Sequence, residues 1–419
     1  MPGEVIMKHL IKNIGQLATP LGTSAHCGPE QAEIKYYKDA WIAVADDGTI
    51  AAVGEGDVPA EYAQADTVTD ACGKLVTPGL VDAHTHLVFG GWREHELALK
   101  LKGVAYLDIL AQGGGILSTV RNTRKATEEE LADKAAEALA MMLEMGTTTC
   151  EAKSGYGLTV EDELKQLRAA KRLNGTQPVE LVPTFLGAHA VPEEYKDNRE
   201  EYIRIVCEEM IPKVAEEGLA EFCDVFCETG VFTAEESRRI LEAGKQYGLM
   251  PKIHADEINP IGGTELTAEL GAVSAEHLIV ATDEGIAAMK AGGTVACCLP
   301  ATSFYLNASF ARARDMVNAG VPVAIATDFN PGSCPNLSLQ FAMNLGCYKY
   351  RLTPEEVLTA VTLNAAAAIK RAESIGSIEP GKKADLVIWK ADNLDFILYR
   401  FGNNLAGTVI KEGNTVVKR

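Results

Sequence analysis

At 419 residues with 47% apolar content, the chain can bury a large core, and one big domain plus a small one suits that length. The net charge of −19 argues against nucleic acid or an anionic membrane as partner; an anionic substrate would need a local Arg to overcome that field. No run reaches the ~18 apolar residues of a membrane span, the N-terminus has no signal-peptide pattern, and the ten cysteines follow no disulfide framework, so reduced thiols in the cytoplasm are expected.

Residues 1–75 read as β structure. Short apolar runs at 41–44 and 50–53 flank Asp47-Gly48, a hairpin turn signal. The C-terminal runs 384–390 and 407–417 look alike, with Glu412-Gly413-Asn414 as a turn. Strands at both ends, each with edges to cover, predict that the termini pair into one small β-sandwich. The expected division is 1–75 and 376–419 for that sandwich and 76–375 for the body between.

The body alternates apolar strand-like runs with amphipathic helical ones, the pattern of parallel βα units. Strands are predicted at 75–86, 147–153, 180–189, 221–229, 250–257, 272–280, 294–300 and 322–328. The clearest helix, 127–145, opens on Thr127 and Glu130, a capping-box pair. Eight such strands predict a (β/α)8 TIM barrel, α/β in class, whose chemistry sits at the C-terminal ends of its strands.

The first strand ends in His84-Thr85-His86. On an extended backbone, residues i and i+2 point to the same side, so two imidazoles converge where one metal ion can be bound. Five of the eight histidines (His84, His86, His189, His254 and His277) fall at or near predicted strand ends, and Asp328 ends the eighth strand. Such one-sided clustering predicts a site. The run Gly113-Gly114-Gly115 follows no strand and precedes no GK[ST], so it reads as a turned or mobile loop, with a lid role as a hypothesis, rather than a phosphate cradle. Protease protection there that ignores substrate would count against a lid.

The histidine pair after strand one, a His after strands five and six, and an Asp after strand eight resemble the amidohydrolase superfamily. The stretches SGYGL, FLGAHAVP and DFNPGS are narrower and are similar to the imidazolonepropionase family, along nearly the whole chain. That resemblance implies a cytoplasmic, homodimeric hydrolase of histidine degradation. It would open the lactam of 4-imidazolone-5-propanoate to N-formimino-L-glutamate at a barrel-mouth metal.

It also implies His84, His86, His254 and Asp328 as metal ligands. Three neutral nitrogens and a carboxylate suit zinc or iron, and water in such a site loses a proton near neutral pH. His277 is placed to bind that water or the developing oxyanion, or is a structural histidine. Glu257 lies three residues beyond His254, in reach of the same water or a ring nitrogen, or else opens a helix. Asp328 is implied as a proton shuttle as well as a ligand. Strand four offers Glu228 but no Lys as a bridge between two ions, and Lys153 ends strand two, so one divalent or trivalent ion is expected.

The substrate would be a small anion. Arg93 can bind its carboxylate in a bidentate way, with Tyr106 and Ser333 sharing it. Tyr156 and His189 are candidates for the ring edges, and Asn330, Gly332 and Ser333 line the loop after Asp328, where Gly permits close backbone approach. A cytosine or guanine deaminase on the same architecture would keep the metal set but have no need of Arg93. A barrel retained as an inert scaffold would be expected to lack ligands, and all are present.

Overall fold

The computed structural model describes residues 7–103 and 114–419. The chain leaves the small sheet and enters the barrel within one apolar run. The run expected as a single strand over 75–86 is two strands: β5 (Leu75–Pro78) belongs to the sheet of the termini, and β6 (Leu80–Asp82) opens the barrel. The break falls where Pro78 has no N–H to donate and Gly79 lies against Thr148, so close that a Cβ would overlap its side chain. His84 and His86 therefore lie just past the strand rather than within it.

The barrel strands follow in sequence order. They are β7 (Thr147–Lys153), β8 (Glu180–Ala188), β9 (Phe222–Cys227), β10 (Met250–Ala255), β11 (Ser274–His277), β12 (Val295–Cys298) and β13 (Val323–Ile325). Each pairs in parallel with the next, from β6 to β13. Closure comes from contacts just past the strand ends. Thr85 bridges in parallel to Phe329, His84 O accepts from Asp328 N at 3.0 Å, and Asp82 accepts from Thr327 N at 3.0 Å and Thr327 Oγ1 at 2.6 Å. The first and last ends of the barrel are thus stapled directly under three of the candidate ligands.

Helices between the strands cover the barrel by the ordinary amphipathic rule. On Glu128–Glu144 the buried stripe is Leu131, Ala135, Leu139 and Met142, spaced four, four and three apart. Both halves of the Thr127–Glu130 capping box form, worth about 1 kcal/mol. The same device opens Ala234–Gln246 and Pro354–Ala360.

The termini build the second sheet, a separate body of strands consistent with the expected β-sandwich. Its further strands are β1 (Met7–Thr19), β2 (Lys35–Val44), β3 (Ile50–Glu55), β4 (Ala65–Asp70), β14 (Leu386–Trp389), β15 (Ala406–Lys411) and β16 (Asn414–Lys418). The order is β16-β15-β14-β5-β1-β2-β3, with β4 also on β1. A bulge at Asn13, whose φ is 55°, divides the pairing of β1: its first half takes β4 and its second half β5. Ile11, Ile14, Leu17, Ile42, Val76, Leu386 and Ile410 share one core, so N- and C-terminal strands bury each other. Both expected hairpins form, β2–β3 and β15–β16, the second turning through Glu412 and Gly413 at positive φ. Among the described residues, no helix is long and apolar enough to cross a membrane.

Candidate metal centre and active site

The alternation past β6 delivers what the spacing predicts. Thr85 turns outward and donates to Glu151 O at 2.5 Å, while His84 and His86 turn inward. His254 reaches the same point from β10 and His277 from the last position of β11. Asp328 arrives three residues past β13 at φ 55°. His277 and Leu278 also hold positive φ, 71° and 59°. Non-glycine residues in that region each cost on the order of 1 kcal/mol or more, and here they sit at the barrel mouth, where function can pay for strain.

The donor atoms converge. His84 Nε2 lies 3.4 Å and His86 Nε2 3.6 Å from Asp328 Oδ1, and His254 Nε2 lies 3.4 Å from His86 Nε2. A tetrahedral ion with bonds near 2.1 Å spaces its ligands about 3.4 Å apart. Burial holds the His84 and His86 rings well below their usual pKa, so both are neutral near pH 7. His84 Nδ1 faces Glu276, and His254 Nδ1 lies 3.0 Å from Asp224 Oδ2, which leaves the Nε2 lone pairs pointing inward. His84 Nε2 and Asp328 Oδ1 are buried without a hydrogen-bond partner. Lone pairs gathered in this way repel one another unless a cation lies among them, so the residues fit a metal ion.

Asp328 splits its two oxygens between two tasks. Oδ2 accepts from Thr302 Oγ1 at 2.6 Å, and Oδ1 faces the histidines. Burial pushes its carboxyl up to about 6. Glu257 sits with Oε1 3.7 Å from His277 Nδ1, and burial pushes it up to about 7. His277 is pushed down to about 4 by burial. Glu228, the acid weighed as a bridge between two ions, is buried and spends both oxygens on the loop after β10. It accepts from Ile258 N at 2.8 Å, Asn259 N at 3.1 Å and Asn259 Nδ2 at 3.0 Å, and so braces the turn that carries Glu257.

His189, one residue past β8, stacks on His86 with ring centroids 4.8 Å apart, and its Nδ1 lies 3.0 Å from Gly155 O. Tyr156 packs against both rings at 5.7 and 5.2 Å. Arg93 is gripped on one edge by Glu96, through Nε at 3.0 Å and Nη2 at 2.9 Å. Its Nη1 lies over Gly332, where any Cβ would overlap the guanidinium. The loop of Asn330, Gly332 and Ser333 is thus beside Arg93. The Asn330 side chain, though, is spent inside that loop: Oδ1 accepts from the N–H of Gly332 at 2.8 Å and Ser333 at 2.7 Å, and Nδ2 donates to Asp328 O at 2.7 Å. It shapes the loop and also holds Ser333 Oγ, which accepts from Asn330 Nδ2 at 2.9 Å and donates to Oδ1 at 3.1 Å. Tyr106 and Gly113 lie outside the described residues.

The sequence reading missed Glu151, Asp224, Lys252 and Glu276 behind the ligands and weighed Lys153 only as a bridge between ions; all five are buried. The signal was available, since charged residues inside apolar strands such as TTTCEAK, FCDVFC and MPKIHA need partners. It also missed Thr302, Glu96 and Lys100, whose Nζ donates to Gly332 O at 2.8 Å.

Three comparisons bear on this geometry. An imidazolonepropionase of Alkaliphilus metalliredigens is 53% identical over 414 residues, 98% of each chain. A zinc-bound adenosine deaminase from Xanthomonas campestris superposes with a TM-score of 0.72 at 21% identity, over 98% of this chain and 93% of that one. A 5-methylcytosine deaminase from Klebsiella pneumoniae superposes with a TM-score of 0.74 at 18% identity, over 98% of each chain; at such identities these two share the fold. Residues 75–416 match the amidohydrolase family, and a histidine-rich barrel mouth is where such a family would keep its metal. Joined to identity above one half along the full length, this makes the chain a member of the imidazolonepropionase family of amidohydrolases.

Proposed function

We propose that the chain hydrolyses the lactam of 4-imidazolone-5-propanoate to N-formimino-L-glutamate. The observation that carries this is the cluster at the barrel mouth, where His84 groups with His86 and Asp328 and also with His254 and His277, in a chain that is like imidazolonepropionases from end to end. These four residues would hold one ion, zinc or iron. When bound, it supplies Lewis acidity and a water acidified to near neutral pH.

The remaining tasks fall to the chain's own groups. Glu257, with a carboxyl poised near 7, takes a proton from the attacking water and returns one to the ring nitrogen as the C–N bond breaks. Asp328, the one carboxylate among the proposed ligands, is the second group able to carry that proton. His277, kept neutral by burial, offers a ring N–H to the carbonyl oxygen as it gains charge. Tyr156 and His189 hold the ring edges over His86. Arg93, braced by Glu96, takes the propanoate with Ser333 and with Tyr106. The division that suits this reading assigns 79–375 to the catalytic barrel and the flanking segments to the sheet. The test is product identity. Loss of ring absorbance with equimolar formimino-glutamate and no free ammonia supports the lactamase; ammonia release with the ring intact supports a deaminase.

Arg93→Ala is expected to raise KM by ~10–100-fold, the worth of a charged hydrogen-bonded pair, with kcat nearly unchanged. Gly332→Ala should act in the same direction, because its methyl displaces the guanidinium. Steady-state kinetics in which neither variant moves KM would remove Arg93 from the site.

A homodimer in the cytoplasm belongs to the same proposal. Phe304, Tyr348 and Phe401 are half exposed and, with Phe341, form one chain of ring contacts at 5.4–6.1 Å, an apolar face suited to a second copy. The ten free thiols suit a reducing compartment. Sedimentation should give a dimer for the wild type and a monomer for Phe401→Glu; dimers from both would place the interface elsewhere.

A further inference from the structure

Behind the inward-facing histidines lies a closed ionic cluster. Lys153 Nζ is 2.8 Å from Asp224 Oδ2, 3.0 Å from Glu151 Oε1 and 3.4 Å from Glu276 Oε2. Lys252 Nζ is 2.6 Å from Glu151 Oε1 and 3.3 Å from Glu276 Oε1. All five side chains are fully buried, and Thr184 and Ser274 donate to Glu151 and Glu276 at 2.5 and 2.6 Å. Taking three carboxylates and two ammoniums out of water is costly, and a hydrophobic filling would be at least as stable, so the cluster calls for a role beyond stability.

The two lysines differ in which oxygens they touch. Asp224 Oδ2 and Glu276 Oε2, the pair joined by Lys153, are the same atoms that face His254 Nδ1 and His84 Nδ1. Lys252 reaches Glu151 and the other Glu276 oxygen, Oε1, and makes no ion pair with Asp224, the carboxylate behind His254. We propose that Lys153 is a positioning residue for the metal centre: by bridging Asp224 and Glu276 it fixes the ring planes and Nδ1–H tautomers of His254 and His84 as one unit. Carboxylates on the outer nitrogen of a metal-binding histidine set ring orientation and donor strength. Here one ammonium on β7 couples two such pairs through carboxylates on β9 and β11; Lys153, Asp224 and Glu276 lie more than 50 residues apart in sequence.

The inference rests on the metal centre proposed above, and the experiment separates the two. Metal-stripped wild type is titrated with Co2+, following visible absorbance and chelator competition. Failure of the wild type to take up about one ion per chain would overturn the metal reading and this inference with it. With wild-type binding in hand, Lys153→Met and Lys252→Met each remove one ammonium from the same cluster. Lys153→Met is expected to weaken Co2+ binding ~10–100-fold and to alter the absorbance bands, with a much smaller change for Lys252→Met. Equal losses of affinity in the two variants, or none in either, would overturn the proposal by reducing Lys153 to a structural counter-charge. Should Lys153→Met fail to fold, the isosteric Asp224→Asn and Glu276→Gln decide, read by affinity and absorbance in the same way. Weaker binding with shifted bands in both supports the coupling; unchanged affinity overturns it.

Discussion

Asp328→Asn is expected to lower kcat by about 10^3-fold or more. The isosteric amide keeps the contact with Thr302 but removes the anionic oxygen that lies 3.4 and 3.6 Å from His84 and His86. Lewis-acid stabilisation is worth several kcal/mol, and each 1.36 kcal/mol is about tenfold in rate. Thermal unfolding gives a second reading. Metal at 1,000 times its Kd should stabilise the wild type by about 4 kcal/mol, whereas the variant should gain far less at the same concentration. A variant with a tenth of wild-type activity and a full metal-induced rise in Tm would show that Asp328 is not a ligand.

Glu257→Gln is expected to cost ~10^2–10^4 in kcat with metal content intact, the usual worth of a general acid–base. The pH profile carries the sign. A base must be ionised, so kcat/KM rises with pH as Glu257 loses its proton. Burial places that step at about 7, and a bound cation nearby favours the carboxylate, so the acid limb is expected at or just below 7. In Glu257→Gln the limb should vanish. A limb that persists unchanged in the variant would remove Glu257 from that role. Stability runs the opposite way. Because the folded-state pKa of Glu257 lies above its ordinary 4.5, its contribution is fully present below 4.5 and is lost as pH rises through 7.

What could be read in the sequence was whatever obeys a local period. Strand alternation put His84 and His86 on one side, and the rule that barrel chemistry gathers at strand ends brought in His254, His277 and Asp328 before any coordinates. Capping boxes and hairpin turns are likewise written within four residues of themselves. The misreading of 75–86 as one strand had a local cause: an unbroken apolar run gives no sign of which sheet each half joins, and only Pro78-Gly79 marks the change. The ionic cluster was out of reach for another reason. Lys153 meets Asp224 across 71 residues, and Lys252 meets Glu151 across 101, pairings set by barrel closure rather than by spacing. Asn330 shows a third kind of limit, since its residue type suits either ligand binding or loop building and only its hydrogen bonds say that it builds the loop.

The most direct test of the account is a metal titration of stripped protein with imidazolone propanoate as substrate, generated in situ, followed by ring absorbance and by formimino-glutamate. The account predicts no turnover without metal, a linear rise to about one ion per chain and a plateau beyond it. Turnover by metal-free protein, or a filled site that leaves the lactam untouched, would contradict it.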